Sequence, residues 1–482
     1  MQNPEQTGAR TVAQQPPRRS VVRRIFADLA EAIRGSEQDF TRGNLGRAIF
    51  LLSVPMVLEM LGESVFAVVD VFFVARLGSS AVATVGLTES LITLVYAVAI
   101  GFAMGTTAMV SRRIGEKNPR AAADTAVQAM AVGVVGSIPI MIAGLFFARP
   151  VLALMGADEW SLTHGVPYTQ WMLGGNVVII LLFVINAVFR GAGNAAVAMR
   201  VLWLANGINV FLDPALINGW GPFPEMGIQG AAIATNIGRA IGVLFQLYVL
   251  FTGRSRIHVH AHQLRIKAKL MWRLVRISLG GIGQFVIATS SWVGLMRIMS
   301  MFGSEALAGY TIAIRVAIFT IMPSWGMSAA AATLVGQNLG AKQPERAEKA
   351  VWFTGWYNMF FMLVVGVVFF LIPEHLIRVF TREPGVVAVG ADCLRVLAFG
   401  YPLYAWSMVI VQAFNGAGDT YTPTWINFAC FWLLELPLAY WLAITLGIGE
   451  RGVYSSVVVA ESIAALVGIM LFRRGKWKTR EV

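Results

Sequence analysis

Charge is scarce in this chain. Asp, Glu, Lys and Arg make up 13% of its 482 residues, where a soluble protein carries roughly 25%. With 57% hydrophobic residues and a mean hydropathy of +0.66, the composition excludes an ordinary soluble domain and points to a polytopic membrane protein. Cysteine is nearly absent. Cys393 and Cys430 both lie in apolar runs, which excludes a disulfide framework and a cysteine metal site. Three of the five histidines, His258, His260 and His262, alternate in a basic loop. That is a weak ligand set, so no metal is expected. The sequence contains no H-E-x-x-H, no G-x-S-x-G and no paired catalytic aspartates on facing helices, and an intramembrane enzyme is not expected. The first 45 residues are polar and basic without a short apolar core before a small-residue cleavage site, so no cleavable signal peptide is expected.

What the chain does have is twelve long apolar runs, at about 47–75, 81–111, 122–147, 162–190, 196–217, 228–252, 270–301, 307–336, 347–371, 386–414, 421–446 and 452–472. Each is long enough to cross roughly 30 Å of hydrocarbon as a helix, which predicts an all-α fold of twelve transmembrane helices. The net charge of +12 does not call for nucleic acid, because the basic residues gather in loops on one side. Connections 2–3 (Arg112, Arg113, Lys117, Arg120), 6–7 (Arg254, Arg256, Arg265, Lys267, Lys269) and 8–9 (Lys342, Arg346, Lys349) are basic, as are both terminal segments. Opposite loops carry one or two basic residues each, so both termini are expected in the cytoplasm of a cell (inner) membrane protein. Residues 20–34, SVVRRIFADLAEAIR, place Val22, Phe26, Leu29 and Ile33 at helical spacing beside Arg23 and Arg24. This predicts an amphipathic helix on the inner leaflet.

The sequence also repeats. Adding 225 to a residue number carries SRRIGEKNPRAA (111–122) onto GQNLGAKQPERA (336–347), VFRGAGN (188–194) onto AFNGAGD (413–419), LGSSAVA (77–83) onto FGSEALA (302–308) and MGIQGAAIA (226–234) onto RGVYSSVVV (451–459). One constant offset over four distant matches makes two six-helix parallel-repeat lobes. The expected organisation is a cytoplasmic segment 1–46, a first lobe 47–252, a basic linker 253–269, a second lobe 270–472 and a basic tail 473–482. Repeated halves suit alternating-access transporters, and single-chain channels share the device.

The most informative stretch is VLEMLGESVFAVVD, residues 57–70. A carboxylate deep in a membrane helix costs roughly 2.5–3.5 kcal/mol, yet this helix carries three. At 100° per residue Glu63 is about 40° and Asp70 about 20° from Glu59, on one face, spread over roughly 16 Å of helix axis. Asp70 and Asp213 lie at similar depth in the outer half, with Glu89 and Thr235 near them. Two carboxylates with amide and hydroxyl oxygens suit a hard monovalent cation or a proton. Glu59 could instead form a pair with Arg239 or face water. In the second half, Glu435 and Glu461 lie at depths comparable with Arg297 and Arg315, and balanced charge predicts structural ion pairs. Gln284, Tyr310, Trp325, Asn358 and Gln412 are candidate contacts for a cargo molecule. The two GAG turns, 191–193 and 416–418, read as tight helix connections.

Together, PxxxEMLGESVFAVVDVFFVARLG in the first helix, the two G-x-K-x-P loops, the two GAG turns and NVFLDP at 209–214 resemble the multidrug and toxic compound extrusion (MATE) family, over about residues 45–472. The resemblance implies export of cationic or amphiphilic drugs by a secondary antiporter driven by Na⁺ or H⁺, with no cofactor. It implies small-molecule and bilayer partners, no nucleic acid, and a monomer. It places a cation site on Asp70, Asn209, Asp213 and Thr235, with Glu89 nearby, as in the DinF-like branch, and a helix hinge at Pro55. Glu63, Glu59, Gln284 and Tyr310 are the expected substrate or proton-relay residues. NorM-like members carry a seventh-helix Glu where this chain has Ala288; the repeat partner of that position is Glu63. A flippase for lipid-linked precursors, from the same broader superfamily, is the alternative. It calls for basic residues in a central cavity, whereas the deep residues here are acidic.

Overall fold

A computed structural model describes residues 21–35 and 38–482, with the side chains of 21, 22, 24, 67–71 and 75 outside the described set. Residues 1–20 of the expected amino-terminal segment therefore lie outside it. Among the described residues there is no strand. A short helix α1 (Val21–Arg34) precedes α2 (Leu45–Ala75), α3 (Ser79–Gly115), α4 (Pro119–Leu154), α5 (Ser161–Gly191), α6 (Ala195–Asn218) and α7 (Ile228–Phe251). After the linker come α8 (Ala268–Met299), α9 (Ser304–Gly340), α10 (Pro344–Leu371), α11 (Pro384–Gly416), α12 (Tyr421–Thr445) and α13 (Glu450–Arg473). All twelve helices from α2 to α13 are long and apolar enough to cross a membrane. They extend the expected runs by a few residues at most ends, because the flanking polar residues continue the helix beyond the apolar part.

The repeat is visible in backbone geometry. Among the described residues, Lys117 (φ 56°) and Lys342 (φ 57°) are the non-glycine residues with positive φ, at equivalent places in the two G-x-K-x-P loops. In each loop a backbone N–H reaches back five residues to close the helix end, Asn118 to Arg113 O at 3.0 Å and Gln343 to Asn338 O at 2.8 Å. Proline then starts the next helix, where its missing N–H costs nothing. The GAG turns repeat the device with Gly193 (φ 86°) and Gly418 (φ 83°), closed by Asn194 to Phe189 O at 2.9 Å and Asp419 to Phe414 O at 3.0 Å. Here glycine removes the Cβ penalty that the two lysines bear.

These turns, the linker and the tail share one end of the molecule, the basic end. There the lobes are locked by close helix crossings. A Cβ on Gly115 would strike the Gln337 carbonyl, one on Gly340 the Arg112 carbonyl, and one on Gly336 the Ser111 hydroxyl. Small residues let the ends of α3 and α9 meet backbone to backbone. Across the same boundary Gln337 Nε2 donates to Gly191 O at 2.9 Å and Thr333 Oγ1 to Arg190 O at 3.1 Å. Halfway along, Ser64 Oγ donates to Met322 Sδ at 2.9 Å. Among the described residues, no hydrogen bond joins the lobes beyond that level toward the far end.

The segment after α13 is more than a charged tail. Trp477 is fully buried and stacks on Phe472 at 4.6 Å. Lys478 pairs with Glu348 at 2.6 Å and Arg480 with Asp419 at 3.3 Å, while Arg113 of the first lobe donates to Val482 O at 3.0 Å. At the other terminus, α1 is tied to α2 by Arg47, which pairs with Asp28 at 2.9 Å and Glu31 at 2.5 Å. Ala32 is buried, and Ile25, Phe26 and Ile33 are left exposed.

Candidate functional site

A cavity of about 390 Å³ lies between the lobes at mid-height, within the range of small-molecule sites. The first lobe contributes Glu59, Glu63, Tyr96 and Arg190; the second contributes Phe285, Trp325, Gln412 and Asn415. Most of the wall is methionine, aromatic and small aliphatic surface, which adapts to varied apolar shapes. The acidic face of α2 points here because α2 packs between α6 and α9 and buries its apolar sides on both.

Glu59 is 2% exposed and accepts from Arg190 Nη1 at 3.2 Å and Asn186 Nδ2 at 3.3 Å, both on Oε1. Asn186 is itself held by Gln246 at 2.6 Å. Oε2 of Glu59 has no partner among the described residues. The expected Arg239 pairing is corrected. Arg239 instead donates to Tyr96 Oη at 2.9 Å, and the cation beside Glu59 is Arg190, at the basic end of α5. Glu63 accepts from Asn206 Nδ2 at 3.1 Å.

A second polar cluster lies within the first lobe. With its amide oriented to satisfy both neighbours, Asn209 donates to Asp213 Oδ2 at 2.6 Å and accepts from Thr235 Oγ1 and N, each at 2.9 Å. Asn209, Asp213 and Thr235 are all buried. Asn206, Asn209 and Asp213 recur at i, i+3 and i+7 on α6, so one face of that helix carries the set. The side chain of Asp70 lies outside the described residues. Its backbone position still follows from helix register. α2 and α6 both run from the basic end outward, and Asn206 is level with Glu63. Seven residues on, roughly 10 Å along each axis, residue 70 comes level with Asp213. Glu89, on α3, is exposed, unlike the buried three.

Several expectations change. Tyr310 does not line the cavity; it is 1% exposed in the second lobe's hydrophobic core, packed among Ala313, Leu394 and Tyr454. Gln284 is buried behind the wall, exchanging hydrogen bonds with Asn415 at 3.0 and 3.2 Å. Asn358 bonds Ser324 and Ser328 inside the second lobe. Trp325 and Gln412 do reach the cavity. The expected ion pairs of Glu435 and Glu461 with Arg297 and Arg315 are not formed. Both arginines are exposed, and Glu435 instead accepts from Ser291 Oγ at 3.2 Å. A wide helical turn over Phe428–Glu435 in α12 sets that carboxyl's direction, and linear spacing does not reveal such a turn. Pro55 sits inside an unbroken α2, where α9 packs so closely that a Cβ on Gly326 would lie 2.7 Å from Met56 O. Sequence reasoning missed Arg190, Asn186 and Tyr96, which come from helices with no spacing relation to α2. Asn206 had a readable signal, its place on the Asn209–Asp213 face.

Comparison with known proteins gives one consistent result. The sequence model of the MatE family matches residues 55–215 and 282–441, once in each half. A probable multidrug resistance protein NorM of Thermotoga maritima is 28% identical over 443 residues, 90% of this chain and 94% of that protein. A FAD transporter of Shewanella oneidensis is 27% identical over 397 residues, 82% of this chain and 87% of that protein. A MATE structure in complex with MaL6 superposes with a TM-score of 0.86 at 25% identity, covering 92% of this chain and 99% of the other. An outward-facing multidrug resistance MATE transporter gives 0.85 at 25% identity, over 92% and 98%.

Proposed function

From a chain that belongs to the MatE family, a family of transporters rather than enzymes, we propose a secondary antiporter that exports cationic or amphiphilic drugs in exchange for Na⁺ or H⁺. The observation that carries this reading is the charge of the central cavity. Two carboxylates, Glu59 and Glu63, face one arginine that already pairs with Glu59. Among the described lining residues no other cation is present, so the walls favour apolar cargo with a positive centre. The same charge disfavours a flippase of pyrophosphate-linked lipids.

In this reading the two clusters divide the work. Asp213, Asn209 and Thr235, with Asp70 level with them, hold the coupling ion. Three oxygen-bearing side chains supply a hard cation's ligands, or Asp213 takes the proton. Loading changes charge between α2, α6 and α7. Because α2 also lines the cavity, a shift of α2 about Pro55 would transmit that change to Glu59 and Glu63. The locked basic end is the cytoplasmic side, and the crevice faces outward. Alternating access then means parting the α3–α9 crossing while the far side closes. The protein is placed in the cell membrane with both termini cytoplasmic, and acts as a monomer.

Reconstituted vesicles test this. Efflux of a cationic dye under an imposed Na⁺ gradient, and separately under a pH gradient, should be driven by one of them and collapse when it is dissipated. Dye that merely equilibrates under both gradients would refute antiport.

A further inference from the structure

A separate pocket of about 720 Å³ opens at the basic end, where the starts of α2 and α10 meet across the lobe boundary. Its wall carries three cations, Lys342, Arg346 and Lys349, against one carboxylate, Glu345. Arg346 donates through Nη2 to Phe40 O at 3.3 Å, and its Nε has no partner among the described residues. Lys342 and Lys349 are exposed, and among the described residues neither side chain makes a hydrogen bond or ion pair. Two helix amino-terminal ends face the same space. Asn44 caps only the Arg47 N–H of α2, and α10 begins at Pro344 without a side-chain cap. The positive ends of both helix dipoles add to the three cations.

The second feature is apolar. Phe353 and Tyr357 form one wall of the pocket, with the Tyr357 hydroxyl against Gly46 of α2. From there Phe360, Val364 and Val367 continue along α10 at three- and four-residue spacing, all exposed. On a membrane span that face meets lipid. A soluble anion needs only the charged part of this arrangement; a phospholipid needs both parts, joined end to end.

We infer that this pocket binds the headgroup of an anionic phospholipid whose acyl chains lie along the exposed face of α10. The headgroup spans α2 of one lobe and α10 of the other, so the bound lipid favours the arrangement in which the basic end is closed. Basic pockets between spans at a cytoplasmic face are suited to such headgroups.

Thermal unfolding of the full chain in detergent tests the assignment, titrated separately with short-chain phosphatidylglycerol, short-chain phosphatidylcholine and inorganic phosphate. Only phosphatidylglycerol should raise Tm. The double variant Lys342→Gln/Lys349→Gln should need about thirtyfold more of it for the same shift, from the contribution of two lysines near a membrane surface. Both lysines are exposed, so the variant folds. Arg265→Gln/Lys269→Gln, exposed cations of the linker and of the first turn of α8 at the same end, should titrate like the parent. An equal shift with inorganic phosphate would make this a free-anion site, and an equal shift with phosphatidylcholine an apolar contact only. Equal weakening in the linker variant would reduce it to diffuse attraction. Each of these results overturns the proposal.

Discussion

Glu59 and Arg190 form a pair at 3.2 Å, with side chains 2% and 16% exposed, and the two partners do not contribute symmetrically. Removing Arg190 strands a buried carboxylate, whereas neutralising both leaves an uncharged site in which an amide at position 59 can still accept from Asn186. Arg190→Ala should therefore destabilise the protein by about 3–5 kcal/mol, and Glu59→Gln/Arg190→Met by far less. Thermal unfolding of the two in detergent checks the order; a double variant as unstable as the single one would mean that the pair's packing matters more than its charge. In the other cluster, amide replacement keeps shape and removes charge. Asp213→Asn should fold, since its neighbour Asn209 can reorient its amide, and should lose ion-driven efflux by at least about tenfold, the scale on which a lost charge–ligand contact acts. Asp70→Asn should behave alike, because register puts the two residues level. If Asp70→Asn keeps gradient-driven efflux while Asp213→Asn loses it, the coupling site is confined to α6 and α7. The acidic stripe of α2 and the N-x-x-x-D spacing of α6 were legible because they obey one helix's period. Arg190 was not, because its partner lies on another helix 131 positions away.

At the scale of elements, the twelve spans and their turns follow from apolar length and from Gly, Pro and Asn chemistry, so they read directly from sequence. What one period cannot convey is how helices cross. Balanced charge in the second lobe suggested pairs for Glu435 and Glu461, but the faces that carry Arg297 and Arg315 turn outward. The α3–α9 crossing is equally invisible in a linear chain, although its glycines recur at the repeat interval as Gly115 and Gly340. It yields a sharp expectation. Gly115→Ala places a methyl on the Gln337 backbone, which no side-chain rotation relieves. The basic end should then part, and labelling of Thr333→Cys, on the cavity wall, by an impermeant thiol reagent from that side should increase severalfold. Native Cys393 and Cys430 are buried and give a low background. Unchanged labelling would show that the crossing does not gate the cavity.

For the whole molecule, the proposal requires the two lobes to move as bodies about their interface. Among the described residues the cross-lobe hydrogen bonds gather from mid-height to the basic end, so the far ends are where the lobes must approach. Gly78 and Gly303 mark equivalent far-end turns, but both hold positive φ, 104° and 97°, where a cysteine would be strained. The next residues, Ser79 and Ser304, begin α3 and α9, are exposed and accept substitution without that cost. Ser79→Cys/Ser304→Cys, joined by a short reducible crosslinker, should stop dye efflux in vesicles, and cleaving the link should restore it. Each single-cysteine variant treated the same way should transport normally, which separates tethering from chemical modification. A tethered protein that transports at the parent rate would mean that the far ends need not change their separation. The ion-loaded cluster of Asp213 would then have to act on the cavity by bending α2 within a fixed pair of lobes, and Pro55→Ala, rather than the tether, would be the substitution that stops transport.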